Sequence, residues 1–281
     1  MESAQSTKIN KIKSYRKNTA QLSIKPYIKK IIPWIIPISL ILAWQVSSQL
    51  GWLASETMPS PLSIIENGIQ LFQSGELFKH ISISLYRATV GLIIGGSIGF
   101  ILGVINGVSK LSCQLFDTTI QMFRNIPHVA LTPLVILVLG IGEPAKIFLV
   151  AVGVMFPIYI NTYHGIRSVD SELLEMGKSY GLHNWELFKK VIFPAALPTI
   201  LMGVRYALGV MWTTLIVAET IASDSGIGYL AVTAQDFLDM KTIILCILIY
   251  ALLGKASDII AKNLEKVFLA WQDQERMDEH V

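Results

Sequence analysis

The sequence predicts an all-α integral membrane protein, with six transmembrane helices and a helical loop on the cytoplasmic side. Three observations carry this. Of 281 residues, 52% are hydrophobic and 15% charged, with mean hydropathy +0.54, whereas a soluble domain carries about 25% charge. Six apolar runs are each long enough, at ~1.5 Å per residue, to cross ~30 Å of hydrocarbon. Between the fourth and fifth runs lies Ser171 to Pro198, SELLEMGKSYGLHNWELFKKVIFPAALP. This island is too polar to span lipid and too well capped to be a loose loop.

Residues 1–30 form a basic tail, in which Lys8, Lys11, Lys13, Arg16, Lys17, Lys25, Lys29 and Lys30 face one acid, Glu2. Positive charge ahead of an apolar run places the tail in the cytoplasm. No aromatic or fold motif accompanies these charges, which argues against nucleic-acid binding, and the tail is too polar to build a core. Residues 31–53 make the first span. The run is longer than a secretory-signal core and lacks a small-x-small cleavage site, so it reads as uncleaved. Residues 54–80 form an external linker, broken by Pro59 and Pro61. Ser63 with Glu66 reads as a capping box, and Ile64, Ile65, Ile69 and Phe72 give an amphipathic helix ending near Gly75.

Span two, about Leu85 to Val108, carries Gly91, Gly95, Gly99, Gly103 and Gly107 at every fourth position. Such a ridge of small residues admits a second helix at close range. Span three, roughly Leu115 to Leu139, is interrupted by Pro127 and Pro133, with Arg124, Asn125 and His128 at the first break. Two readings stay open here. The polar groups line a translocation path inside a bundle, or the helix begins near Val129 and leaves Arg124 at the cytoplasmic interface. Ile141 to Pro144 is a short external turn. Span four runs from Lys146 to about Ile166 with Pro157 inside it. Span five, about Ala196 to Ala218, carries Arg205. An external loop, 219–240, holds Glu219, Asp224, Gly226, Gly228, Asp236 and Asp239. Span six is about Ile243 to Leu264, where Lys255 and Asp258 are one turn apart and able to pair. Residues 267–281 are a second cytoplasmic tail. The inner segments hold sixteen of the 23 Lys and Arg residues, against Lys79, Lys146 and Lys241 outside. That bias puts both termini and the polar island in the cytoplasm.

Within the island, Asp170 or Ser171 caps a first helix, and Glu172 and Glu175 sit in its opening turn, where the helix dipole favours acids. Gly181 falls where a left-handed C-terminal cap is expected. Asn184 caps a second helix, Trp185 to Ile192, which Pro194 ends. A rigid capped hairpin projecting from a membrane has the shape of a docking site. A capped connector with no partner is the plainer alternative.

The residues of the island bear on that choice. Glu175–Met176–Gly177, Gly181, Val191 and Phe193–Pro194 follow the spacing E-A-A-x(3)-G-x(9)-I-x-L-P. This resembles the cytoplasmic loop by which permease subunits of bacterial ABC importers dock into their ATPase. Met176 and Gly177 replace the two alanines, and Val191 and Phe193 replace Ile and Leu; Gly177 weakens a helix by ~1 kcal/mol relative to Ala. From about Leu85 to Leu269 the chain is similar to the sulfonate, taurine and nitrate branch of these permeases, nearest to the aliphatic sulfonate permeases. The stretches that carry this are Ile120–His128, Lys146–Val150, Phe156–Arg167, Leu215–Thr220 with Ser225–Leu230, and Tyr250–Lys255.

The resemblance implies that residues 81–266 are a type I ABC importer transmembrane domain in the bacterial inner membrane. It implies a permease homodimer, two separate ATPase subunits that carry ATP and Mg, an extracytoplasmic substrate-binding protein, and transport by alternating access. Glu172, Glu175, Gly177, Gly181 and Pro194 would then form the ATPase-coupling loop. On physical grounds, and apart from the resemblance, Arg124, His128 and Arg205 would offer a positive field to a small anionic substrate. Taurine, nitrate or a vitamin precursor are alternatives to an aliphatic sulfonate. An ion-gradient-driven carrier or channel is the alternative of another class, but such carriers usually show repeated halves, and none is found. The chain has no G-x(4)-G-K-[ST] loop, so ATP hydrolysis is expected on the partner and not here. Cys113 and Cys246 have no metal spacing, and no cofactor, metal or enzymatic nucleophile is expected on this chain.

Overall fold

Backbone that crosses hydrocarbon must satisfy its own hydrogen bonds, and helices do this within one segment. The computed structural model describes residues 26–54, 56–221 and 223–271, with backbone alone at 26–33, 128 and 129. Among the described residues every regular element is helical. The chain divides at Leu62 into two units.

The first unit is built on α1, Pro26–Gln49. Its first described residues, 26–30, fall inside the segment expected to be tail. Gly51, at φ +75°, turns the chain after it. The rest of the basic tail and the last ten residues lie outside the described residues.

α2, Pro61–Gln73, belongs to the second unit from Ser63 on; it opens on a proline, so Ser63 is already helical and is not the expected cap. The amphipathic face is real: Ile64 is buried, and Asn67 donates to the Thr242 hydroxyl at 2.8 Å. Span two starts earlier than expected, since α3 is Glu76–Val108, 33 residues long. Span three is two helices. α4, Lys110–Arg124, and α5, His128–Leu139, are separated by a break ending at Pro127. Pro133 does not interrupt α5; it lies inside the helix and removes one i→i−4 hydrogen bond without ending it. Arg124 and His128 therefore stand on different helices and share no helix face. α6 is Glu143–Arg167, α7 Ser171–Ser179, α8 Asn184–Leu187, α9 Phe193–Thr220, α10 Ile227–Asp236 and α11 Met240–Phe268. α10 was expected to be loop; Gly226, at φ +110°, turns the chain into it.

Among the described residues, four segments are long and apolar enough to cross a membrane: α3, α6, the run Asn184–Thr220 and α11. α1 and the shorter apolar helix Ala130–Leu139 stand at the other two expected spans.

α3 and α6 pack at backbone distance. A Cβ added at Gly95 would lie 2.0 Å from the Ala151 carbonyl oxygen, and one at Gly99 would lie 2.3 Å from that of Met155. Gly91, Gly103 and Gly107 meet Val150, Thr162 and Ile166 on the same helix. Behind this seam, Ala88, Val154, Ile158, Leu208, Met211 and Leu215 form the largest buried cluster, joining α3, α6 and α9. Backbone cannot yield as a flexible side chain can. Gly95→Ala should therefore lower the thermal midpoint of the detergent-purified protein by the equivalent of ~1–3 kcal/mol. Gly254→Ala, helical and with nothing within 4 Å of the new Cβ, should leave it level or raise it. Equal midpoints for the two variants would show that the seam is not a constraint.

Candidate functional site

The polar island forms a compact knuckle. Asp170 caps α7, accepting from the Glu172 N–H at 2.9 Å. Gly181 adopts φ +81°, the left-handed turn between the two helices. Gly177 is buried, and a Cβ there would come 2.7 Å from Leu187 Cδ1. A glycine in place of alanine thus lets α7 lie closer to α8. Asn184 is not a cap; it is the first residue of α8, with φ +45°, and His183 precedes it. Glu172, Leu173, Glu175, Met176, Tyr180 and Trp185 are exposed and give the knuckle a mixed acidic and apolar face.

Pro194 does not end the second helix. α8 passes through a π-helical turn, Phe188–Ile192, straight into α9. The Phe193 N–H reaches back to the Phe188 carbonyl. That wider turn accommodates a proline ring that would clash in an α-helix. Asn184–Thr220 is therefore one helical rod of 37 residues, roughly 55 Å at ~1.5 Å per residue.

At the far end of the rod stands an ion cluster. Arg87, on α3, has no exposed surface. Its Nη1 donates to Glu219 Oε1 at 2.9 Å and to the Ser225 carbonyl at 2.6 Å, and its Nη2 donates to Ser225 Oγ at 2.9 Å. Its Nε donates to Glu143 Oε2 at 2.7 Å. Glu219, also buried, accepts further from Ser84 Oγ at 2.8 Å, from the Gly228 N–H at 2.9 Å and from the Tyr250 hydroxyl at 3.1 Å. Three successive N–H groups at the start of α10 are thereby satisfied by side chains: Gly226 by His80 Nδ1, Ile227 by Ser84 Oγ and Gly228 by Glu219, each at 2.9 Å. The glycines allow this approach, since a Cβ at Gly226 would fall 2.4 Å from the Glu219 carboxyl. In the loop beside them, the Ser225 hydroxyl donates to Asp224 at 3.1 Å and holds its carboxyl below the ordinary range.

Between knuckle and cluster, α9 borders three cavities, of about 260, 410 and 690 Å³, and Val210 lines all three. Arg124 is exposed, donates from Nη1 to Gln121 Oε1 at 3.2 Å, and lines the smallest of the three with Pro157, Asn161 and Tyr206. Arg205 lines the largest, but it is bound to Asp258, Nε to Oδ1 at 3.0 Å, with Glu265 at 3.8 Å. Asp258 also meets Lys255 at 3.5 Å and Lys262 at 3.0 Å. The side chain of His128 lies outside the described residues. Arg124 and Arg205 thus line different cavities, which share Tyr206 and Val210. The ion cluster was missed by sequence reasoning, although a lone arginine inside an apolar run signals a buried acid somewhere.

Residues 95–268 match the family model described as "Binding-protein-dependent transport system inner membrane component". The chain is 51% identical over 248 residues to a protein of Escherichia coli (strain K12) named "Putative aliphatic sulfonates transport permease protein SsuC", covering 88% of this chain and 94% of the relative. It is 41% identical over 239 residues to the protein of the same name in Bacillus subtilis (strain 168), covering 85% and 87%. It is 28% identical over 240 residues to the "Taurine transport system permease protein TauC" of Escherichia coli (strain K12), covering 84% and 87%. Its fold is that of a chain in the structure titled "Crystal structure of an amino acid ABC transporter with histidines", with TM-score 0.58 and 18% identity, covering 73% of this chain and 97% of that one.

Removing one partner of a buried ion pair costs ~3–5 kcal/mol, because the other charge is left without compensation. Arg87→Met should therefore sharply lower the thermal midpoint, and adding Glu219→Gln should recover part of the loss. The pairing is refuted if the double variant melts at the sum of the two single losses.

Proposed function

Because the chain belongs to the binding-protein-dependent transport system inner membrane component family, we propose that it passes an aliphatic sulfonate into the cell. It is the membrane-spanning permease subunit of an ATP-driven importer, a transport protein and not an enzyme. ATP and Mg belong to the partner ATPase. The substrate assignment draws on identity to sulfonate permeases that is well above that to the taurine permease. A sulfonate is a permanent anion, and a guanidinium suits its oxygens.

The observation that carries the mechanism is the rod from Asn184 to Thr220. It joins the exposed knuckle to the Glu219 cluster without a break. In the proposed cycle the permease works as a homodimer with both termini in the cytoplasm. Glu172, Glu175, Gly177, Gly181 and Pro194 shape the knuckle that sits in the ATPase. Closing of the ATPase around ATP displaces the knuckle, and the rod carries that displacement to the outer end, where a substrate-binding protein delivers its load. This is a two-state equilibrium biased from both ends. Arg124, with Asn161 and Tyr206 around the same cavity, guides the anion. Arg205, already shared among acids, adds no free charge and serves the α9–α11 contact instead.

Two outcomes follow. Gly181→Val strains the left-handed turn, so transport should fall while ATP hydrolysis by the assembled complex continues; coupled transport at the parental rate would count against the knuckle. Arg124→Gln should reduce uptake of a radiolabelled alkanesulfonate by roughly 10-fold, on the scale of one charge-assisted hydrogen bond, with complex assembly unchanged. Normal uptake by Arg124→Gln would leave that arginine outside the path.

A further inference from the structure

We propose that the notch where the knuckle joins the bundle is a binding site for an anionic phospholipid. A cavity of about 380 Å³ lies there, walled by Phe100, Ile101, Val104 and Ile105 of α3, with Phe188 and Phe193 opposite. Phe188 stacks on Trp185 at 5.3 Å and meets Phe193 at 6.1 Å, so the aromatic wall is braced. The lining is wholly apolar even though Lys189 contributes to it. Lys189 thus gives the wall its hydrocarbon stem and leaves its ammonium free to reach outward. Ile101, Ile105 and Trp185 are exposed at the opening.

The charge pattern selects the headgroup. Lys190 is paired with Glu186 at 3.6 Å, whereas no acid pairs with Lys189 among the described residues. The notch sits where an apolar span passes into a polar knuckle, which is headgroup depth, and an indole at the opening suits that layer. An acyl chain fills the greasy wall while a phosphate meets Lys189. A chainless anion has no use for the wall, and a zwitterionic lipid brings its own cation to the ammonium. One cation beside anionic lipid is worth ~1 kcal/mol, a preference of roughly fivefold.

Native mass spectrometry of the full chain with equimolar dioleoyl-phosphatidylglycerol and dioleoyl-phosphatidylcholine reads this directly. The expected result is about fivefold more phosphatidylglycerol adduct, reduced to parity by Lys189→Ala and retained by Lys190→Ala. Glycerol 3-phosphate in excess should not displace the lipid. Ile105→Trp, which fills the cavity while leaving both lysines, should also abolish the preference. Equal retention of both lipids, equal loss in the two lysine variants, or displacement by glycerol 3-phosphate would each overturn the site. So would a chemical crosslink from Cys introduced at Ile101 to a second copy of the chain, since protein would then fill the notch. The measurement is made in detergent and is independent of transport, substrate and membrane orientation.

Discussion

A guanidinium with no exposed surface, set in an apolar helix, must be paired where it stands. Arg87 meets that constraint with two carboxylates, a serine hydroxyl and a backbone carbonyl. Stripping an ion of water costs several kcal/mol, so such a group tolerates few arrangements. Each partner comes from a different part of the chain: Glu143 opens α6, Glu219 closes α9, and Ser225 leads into α10. Tyr250 adds α11 through Glu219. The longitudinal register of four long helices is thereby fixed at one point. The glycine seam complements it, since α3 and α6 can bring Arg87 and Glu143 together only where nothing larger than hydrogen stands between their backbones.

Much of the fold was legible because hydropathy is a local property. The apolar runs, the four-residue glycine spacing and the left-handed turn at Gly181 each depend on a short stretch of chain. What was not legible depends on distant partners. Glu219 and Arg87 are 132 residues apart, and neither one's neighbours hint at the other. The loop expected at 219–240 held a helix because side chains from elsewhere satisfy its first N–H groups. The Pro194 stop failed for the opposite reason: the sequence rule assumes an α-turn, and the chain used a wider one. At the candidate path, residue type was readable but the company each residue keeps was not. Arg205 looked like a free cation in a span, and Asp258 and Glu265 on α11 take up that charge.

The division of labour along the rod follows from these contacts. The knuckle at one end is exposed. The rod's middle borders cavities with mixed lining, Thr213 and Thr214 among apolar residues. Its other end is locked into buried charge. A helix held firmly at one end and free at the other responds to a push as a lever, moving most at the free end.

The π-helical turn at Phe188–Ile192 gives this lever its aim. A helix advances about 100° per residue, and a π turn takes in one residue more than an α turn does. Since Glu219 fixes the azimuth of everything beyond Phe193, the extra residue is expressed on the other side, as a rotation of the knuckle about the rod. The turn works as a vernier between the knuckle and the ion cluster. Losing one residue there would swing Tyr180 and the acids of the knuckle about a quarter-turn around the rod.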